Sequence, residues 1–231
     1  MRLRATLIVS SLLALPSAHA QQVPPNTQEI TNEPHHTLLL QNDDVRVFRL
    51  KLQPGEATLP HRHQLFYAYL SLRPVTIANE VRGREPVLTQ LEAGELHTSK
   101  GGFTVAERNN SQELAEIIVI EVKKSNGAGF TTPMPGFRFH NSAFSALYEG
   151  AAMRCYSIML LNGGLTDLHT ESYDSLIIAL ADLKFRETNA DGTASAIEMK
   201  AGDTRWVPRG VTHAFTNTVP TPATYVALEF N

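Results

Sequence analysis

Adding 108 to a residue number in the first half of this 231-residue chain lands, without a gap, on a like residue in the second half. Arg46 meets Arg154, Gly55 meets Gly163, His61 meets His169, Gly94 meets Gly202, Gly102 meets Gly210, Asn109 meets Asn217 and Glu121 meets Glu229. Turn residues, charged residues and a histidine all recur in one register, so the chain is two copies of one unit. The copies are read as residues 37–124 and 143–231.

Within each copy the apolar residues keep the period of a strand. Phe48, Leu50 and Leu52 alternate with Arg49 and Lys51, and Tyr156, Ile158 and Leu160 take the equivalent places, so one face of each strand points to a core. Pro54-Gly55 and Asn162-Gly163 end those strands as turns. Ile117–Val122 and Tyr225–Phe230, β-branched and aromatic, read as closing strands, and no stretch carries a long helical period. The fold class expected is all-β, with two barrels. Residues 125–142, rich in Gly, Pro and Ser, read as the linker. Its Phe130, Met134 and Phe137 either pack it against a barrel or line a pocket. Exposed strand edges need covering, by stacking of the two barrels or by a second chain in a homodimer.

The N-terminus reads as an export signal. Met1 to Arg4 is a short basic head, Ala5 to Leu15 is almost wholly apolar, and Ala18-His19-Ala20 resembles a cleavage site, so residues 1–20 are set aside and a periplasmic or secreted location is expected. Without Arg2 and Arg4 the formal charge moves from -3 to -5, with no basic run. That excludes the concentrated basic face needed for nucleic acid or an anionic membrane. Cys155 is the lone cysteine, so no intrachain disulfide can form and the core alone must hold the fold. Residues 21–36 read as a flexible arm, with His35 and His36 as a polar lead-in to a first strand near Thr37.

Gly202-Asp203, Pro208, Gly210, His213 and Asn217 follow the spacing G-D-x4-P-x-G-x2-H-x3-N, which resembles the second motif of the cupin superfamily. Gly163, His169 and Glu171 resemble its first motif, G-x5-H-x-H, with glutamate in the second histidine's place. The resemblance covers nearly all of the chain after residue 36. It implies two tandem cupin-type double-stranded β-barrels of jelly-roll type, a bicupin, with a small-molecule pocket in a barrel mouth.

Residues at i and i+2 on a strand share a face, so His169 and Glu171 can deliver two ligands and His213, on a neighbouring strand, a third. Two histidines and a carboxylate suit one divalent metal, Fe, Mn or Zn. The fourth cupin ligand, a glutamate, is replaced by Ser175. The competing reading makes His169 and His213 hydrogen-bonded polar residues and pairs Glu171 with an arginine. Tyr173, Trp206, Phe215 and Tyr156 are candidates for a pocket wall, and Arg205 and Arg209 flank the motif. In the first copy His61 and His63 keep the first motif, but Lys100 replaces the proline, Val105 the distal histidine, and Tyr67 the glutamate. That site reads as degenerate, and any chemistry is expected in the second barrel. The function expected is an exported metalloprotein, an oxygenase or isomerase of a small organic molecule; the alternative is a non-enzymatic small-ligand binder without metal.

Overall fold

In Ala115–Val122 every residue is buried, because its two faces meet different cores. Ile118, Ile120 and Val122 point into an apolar layer shared with Met153, Leu176, Val226 and Leu228. Ala115, Ile117 and Val119 point the other way, onto Phe48, Leu50, Ile77 and Leu91. Ala223–Phe230 repeats this in the second half: Val226, Leu228 and Phe230 face the shared layer, while Ala223, Tyr225 and Ala227 face Tyr156, Ile177, Phe185 and Phe215. Such two-sided burial is why both closing strands read as nearly unbroken apolar runs. Each fully buried Leu, Ile or Val removes enough apolar surface from water to contribute about 1.5–3 kcal/mol.

The computed structural model describes residues 27–231, so the segment read as an export signal, 1–20, lies outside the described residues. The described chain is all-β apart from a short 3-10 turn at Ile30–Asn32. One five-stranded sheet runs in the order Gln28–Glu29, His61–His63, Phe103–Asn109, Val75–Glu80, Val87–Leu91. A second runs His36–Gln41, Val45–Leu52, Ala115–Val122, Tyr67–Ser71, Leu96–Ser99. From Phe139 onward a nine-stranded sheet curls into a nearly closed antiparallel barrel. Its order is Ala194–Met199, Leu183–Asn189, Thr212–Asn217, Met153–Thr166, Ala223–Phe230, Asp174–Ala179, Thr204–Val207, with Phe139–Glu149 and His169–Thr170 joined at its sides. The strands thus form one nearly closed barrel and two smaller sheets, an architecture consistent with a jelly roll, where the sequence reading expected two equivalent barrels.

The 108-residue offset reappears as hydrogen bonds. Gly94 N donates to Ser71 O and Gly202 N to Ala179 O, each at 2.8 Å; Gly102 N donates to His63 O at 2.7 Å and Gly210 N to Glu171 O at 2.9 Å. Asn109 Nδ2 donates to Leu52 O and Glu113 O, and Asn217 Nδ2 to Leu160 O and Thr221 O. The contact between halves is reciprocal as well. A Cβ on Gly94 would lie 2.7 Å from Leu180 Cδ1, and one on Gly202 would lie 2.6 Å from Leu72 Cδ1. Each glycine, at φ +77 and +81, makes its turn against the other half's leucine.

The flexible arm expected at residues 21–36 is corrected over its described part. Gln28–Glu29 pairs in parallel with His61–Arg62, Ile30 is fully buried, and Glu33 and His36 are buried beneath the His61 strand. The Pro- and Asn-rich composition hid three inward-facing residues, Ile30, Glu33 and His36, spaced by three.

Candidate functional site

Two clusters of histidine and glutamate converge, one in each half, and in each the ligand atoms lie within 4.8 Å of one another. The C-terminal cluster is His169, Glu171 and His213, as the spacing requires. His169 pairs directly with His213 across two antiparallel strands, and Glu171 follows at the strand end, its N–H donating to Val211 O at 2.9 Å. Glu171 Oε1 stands 3.1 Å from His213 Nε2 and 3.6 Å from His169 Nε2. Ser175, in the place of the usual fourth ligand, donates to Glu171 Oε2 at 3.1 Å.

The outer nitrogens are held. His169 Nδ1 lies 2.8 Å from Asp167 O and His213 Nδ1 lies 2.9 Å from Glu187 Oε1. Carbonyls and carboxylates only accept, so both Nδ1 atoms carry the proton and both Nε2 atoms are turned to the cluster. His169 Nε2 is buried with no hydrogen-bond partner, the condition of a lone pair waiting for a cation. Arg205 grips Glu187 through two bonds of 2.9 and 2.7 Å, so the flanking arginine serves His213's partner and leaves Glu171 to the histidines. Burial opposes ionisation of Glu171, but the two neighbouring histidines outweigh it and hold the carboxyl down at about 2. Burial likewise opposes charge on His213, and Glu171 and Glu187 overcome it, raising its pKa.

The N-terminal cluster is His61, His63 and Glu107. The expectation that only two ligands remain there is therefore corrected. Val105 is paired with His61 and faces inward, and two residues on, along the same face of Phe103–Asn109, Glu107 points at the histidines. Glu107 Oε2 lies 3.5 Å from His61 Nε2, and Oε1 lies 3.8 Å from His63 Nε2. Thr58 Oγ1 donates to Glu107 Oε2 at 3.0 Å and fixes the carboxylate. The strand alternation carried this signal, but matching position to position compared His213 only with Val105.

His61 Nδ1 lies 3.0 Å from Leu59 O, the counterpart of His169 and Asp167. His61 Nε2 therefore has a bare lone pair, and it faces His63 Nε2 at 3.1 Å. One proton must lie between those nitrogens, and it belongs to His63. Burial works against charge there, but Glu107 and Glu121 raise the His63 pKa, whereas burial lowers that of His61. A cation in the cluster would replace that proton, as metal binding to imidazoles generally does. Burial opposes ionisation of Glu107 too, yet the two histidines beside it hold its carboxyl at about 2.

A cavity adjoins this cluster. It is small, about 30 Å³, with room for roughly one or two water molecules. His63 and Glu107 form one wall, Leu50, Ile77, Leu91 and Ile117 the apolar interior, and half-buried Tyr69, Asn79 and Thr89 the solvent side. Tyr67 lines it and stacks on His63 with ring centroids 4.0 Å apart. In the C-terminal half the counterparts of Ile77, Glu107 and Ile117 are Phe185, Phe215 and Tyr225, all buried and packed ring on ring. The aromatic side chains occupy the equivalent space, and Phe137 from the linker lies flat on His169 with centroids 3.5 Å apart.

The pocket candidates scatter. Phe215 packs edge-on to His213, and Tyr156 donates to Glu229 Oε1 at 3.0 Å within the buried Arg154–Glu229 ion pair. Tyr173 Oη accepts from Thr131 N at 2.7 Å, and Trp206 stacks on Phe230 beside the shared core. None of these four joins the N-terminal cavity. Among the described residues no helix is long and apolar enough to cross a membrane.

No protein-family model and no curated protein sequence matches this chain. Its structure is similar to a cupin 2 conserved barrel domain protein from Leptotrichia buccalis, at 12% identity and TM-score 0.55 over 85% of this chain and 88% of that one. It is similar to oxalate decarboxylase from Lactobacillus farciminis, at 12% identity and TM-score 0.59 over 82% of this chain and 78% of that one. It is similar also to a variant of salicylate 1,2-dioxygenase from Pseudoaminobacter salicylatoxidans, at 13% identity and TM-score 0.57 over 81% and 72%. At such identities the likeness establishes the fold and not the chemistry. The chain has a cupin-like fold carrying two clusters able to coordinate a metal.

Proposed function

We propose that the protein is an exported, metal-dependent bicupin enzyme that transforms a small organic molecule by oxygenation or isomerisation in its N-terminal half. The observation that carries this reading is the convergent cluster of His61, His63 and Glu107 beside a small, mostly apolar cavity that opens towards Tyr69, Asn79 and Thr89. Export rests on the basic head and apolar run of residues 1–15. Two of the similar structures, a decarboxylase and a dioxygenase, belong to enzymes, which supports an enzymatic use of the fold.

His61, His63 and Glu107 would hold a divalent Fe, Mn or Zn ion, since two imidazoles and one carboxylate suit all three. The metal, when bound, supplies Lewis acidity and activates water or dioxygen. The chain's own residues do the rest. Leu50, Ile77, Leu91 and Ile117 keep the inner side of the cluster apolar, while Tyr69, Asn79 and Thr89 offer polar tips at the entrance, where a substrate would approach. Burial raises the Tyr67 pKa above its ordinary value, so its hydroxyl stays protonated at neutral pH and can donate to a bound substrate. The C-terminal cluster, with its equivalent interior filled by Phe185, Phe215 and Tyr225, would hold metal in a structural role.

The test is a panel of small carboxylic acids, hydroxy acids and phenols offered to metal-loaded protein, with oxygen uptake and product NMR as readouts. Turnover that is lost in Glu107→Ala and kept in His213→Ala supports the reading. Turnover that follows His213, or saturable binding of a panel member without turnover, contradicts it.

A further inference from the structure

His36 reaches the N-terminal cluster from outside both sequence motifs. It opens the strand His36–Gln41, and its side chain is wholly shielded from solvent. Its Nδ1 lies 2.7 Å from Glu33 Oε2, and because a carboxylate accepts, Nδ1 carries the proton and Nε2 presents a lone pair. Nε2 is buried and meets no hydrogen-bond partner. A buried polar atom left so is destabilising unless something else satisfies it. Glu33 is pinned in turn, accepting from His35 N at 2.9 Å and Leu59 N at 3.1 Å. A carboxylate holding the far nitrogen of an imidazole is the usual support of a metal-bound histidine.

The ring positions point the same way. A metal–nitrogen bond of about 2.1 Å sets an imidazole centroid roughly 3.2 Å from the metal, so rings at right angles stand about 4.5 Å apart and opposed rings about 6.4 Å. His36 and His61 are 4.8 Å apart, His61 and His63 4.9 Å, and His36 and His63 6.5 Å. These are the separations of two neighbouring pairs and one opposed pair about a common centre. His36 is not among the three residues whose donor atoms lie within 4.8 Å of one another, so ligation requires it to close on the cluster from the side opposite His63. In the other half the counterparts of Glu33 and His36 are Asn141 and Phe144, so the fold demands neither the carboxylate nor the imidazole.

We propose that His36 is a fourth protein ligand of the N-terminal site, with Glu33 as its positioning residue. His36 supplies the third nitrogen that Val105 cannot, and the strand that carries it closes the site on the side away from the cavity wall formed by His63 and Glu107.

The proposal rests on the N-terminal cluster holding a metal, and loading the full chain with Co²⁺ separates the two claims. Five hyperfine-shifted imidazole N–H signals are expected in the proton NMR spectrum of wild type, from His36, His61 and His63 and from His169 and His213. His36→Phe, which installs the residue type of Phe144, should lose one signal and bind Co²⁺ at one of its two sites at least about 10-fold more weakly, and Glu33→Gln should weaken that site about 10–100-fold. The wild-type signal count needs no variant to fold. Four signals with two Co²⁺ bound, or His36→Phe with unchanged affinity and visible absorption, overturns the proposal and leaves the N-terminal metal site standing. A single Co²⁺ per chain showing only the His169 and His213 signals overturns it together with the proposed function.

Discussion

Glu107 Oε2 lies 3.5 Å from His61 Nε2, across two strands of the half whose second motif has lost its histidine. The equivalent pair in the other half is His169 and Phe215, which form no such contact; there the strand contributes His213, two residues earlier. One strand face offers two successive inward places, and each half has put its third cluster residue in a different one. That substitution leaves a carboxylate and a cavity in one half, and an imidazole and a ring of aromatics in the other.

The aromatic filling has a direct consequence for metal exchange. Phe137 covers His169, so Phe137→Ala should speed loss of metal from the C-terminal site to a chelator several-fold and leave the N-terminal site unchanged. Stopped-flow chelation of Zn²⁺-loaded protein measures both phases; equal acceleration of both would show that Phe137 acts on the whole fold.

The Arg154–Glu229 pair is buried, with side chains 1% and 5% exposed, and Tyr156 donates to the same carboxylate. Removing one member strands the other in the core. Arg154→Ala should therefore cost about 3–5 kcal/mol. Arg46, its counterpart, is 20% exposed beside Glu121, and Arg46→Ala should cost less because water can reach the site. Urea denaturation of the two variants decides the order.

Two turn glycines separate local strain from crowding. Gly210 at φ +86 has nothing within 4 Å of a built Cβ, so Gly210→Ala should cost only about 1 kcal/mol of backbone strain. Gly202→Ala meets the same strain and also Leu72 Cδ1 at 2.6 Å and Arg49 Nη2 at 2.7 Å, and should cost about 1–3 kcal/mol more. Equal thermal shifts for the two would mean that the halves do not press on each other at this turn.

Acid should act partly through Glu33. Burial opposes its ionisation, but hydrogen bonds from His36 and His35 and from the Leu59 amide hold its carboxyl at about 2, below the 4.5 of an ordinary glutamate. A lowered carboxylate contributes stability in full above pH 4.5 and loses it as pH falls towards 2. His35 has the opposite sign: burial works against its charge, Glu33 and Glu56 raise its pKa above 6.5, and its contribution is full below 6.5 and fades as pH rises through the raised value. In chelator-treated protein, Glu33→Gln should flatten the stability profile between pH 4.5 and 2 relative to wild type. Parallel profiles from urea titrations would remove Glu33 from the acid response.

The repeat, the strand periods and the convergence of His169, Glu171 and His213 were all legible in the sequence, because turns, alternation and i, i+2 spacing are local rules. Gly94 and Gly202, or Asn109 and Asn217, reappear as the same hydrogen bonds one offset apart. What the sequence hid was decided by partners far along the chain. Glu107 became visible only once Phe103–Asn109 lay beside His61–His63. His36 stood in a polar stretch and took its place through Glu33 and the ring of His61. Trp206 and Tyr173 read as pocket residues because large aromatics suit a ligand, but the shared core and the linker claim them.

The most direct measurement is the metal content of the full chain expressed with ample Fe, Mn and Zn and purified without chelator, for wild type, Glu107→Ala and His213→Ala. Expected are two metal ions per wild-type chain and one in each variant, since each substitution removes one of the two clusters. A metal-free wild type, or a Glu107→Ala protein that keeps both ions, would contradict the assignment of a metal site to the N-terminal half.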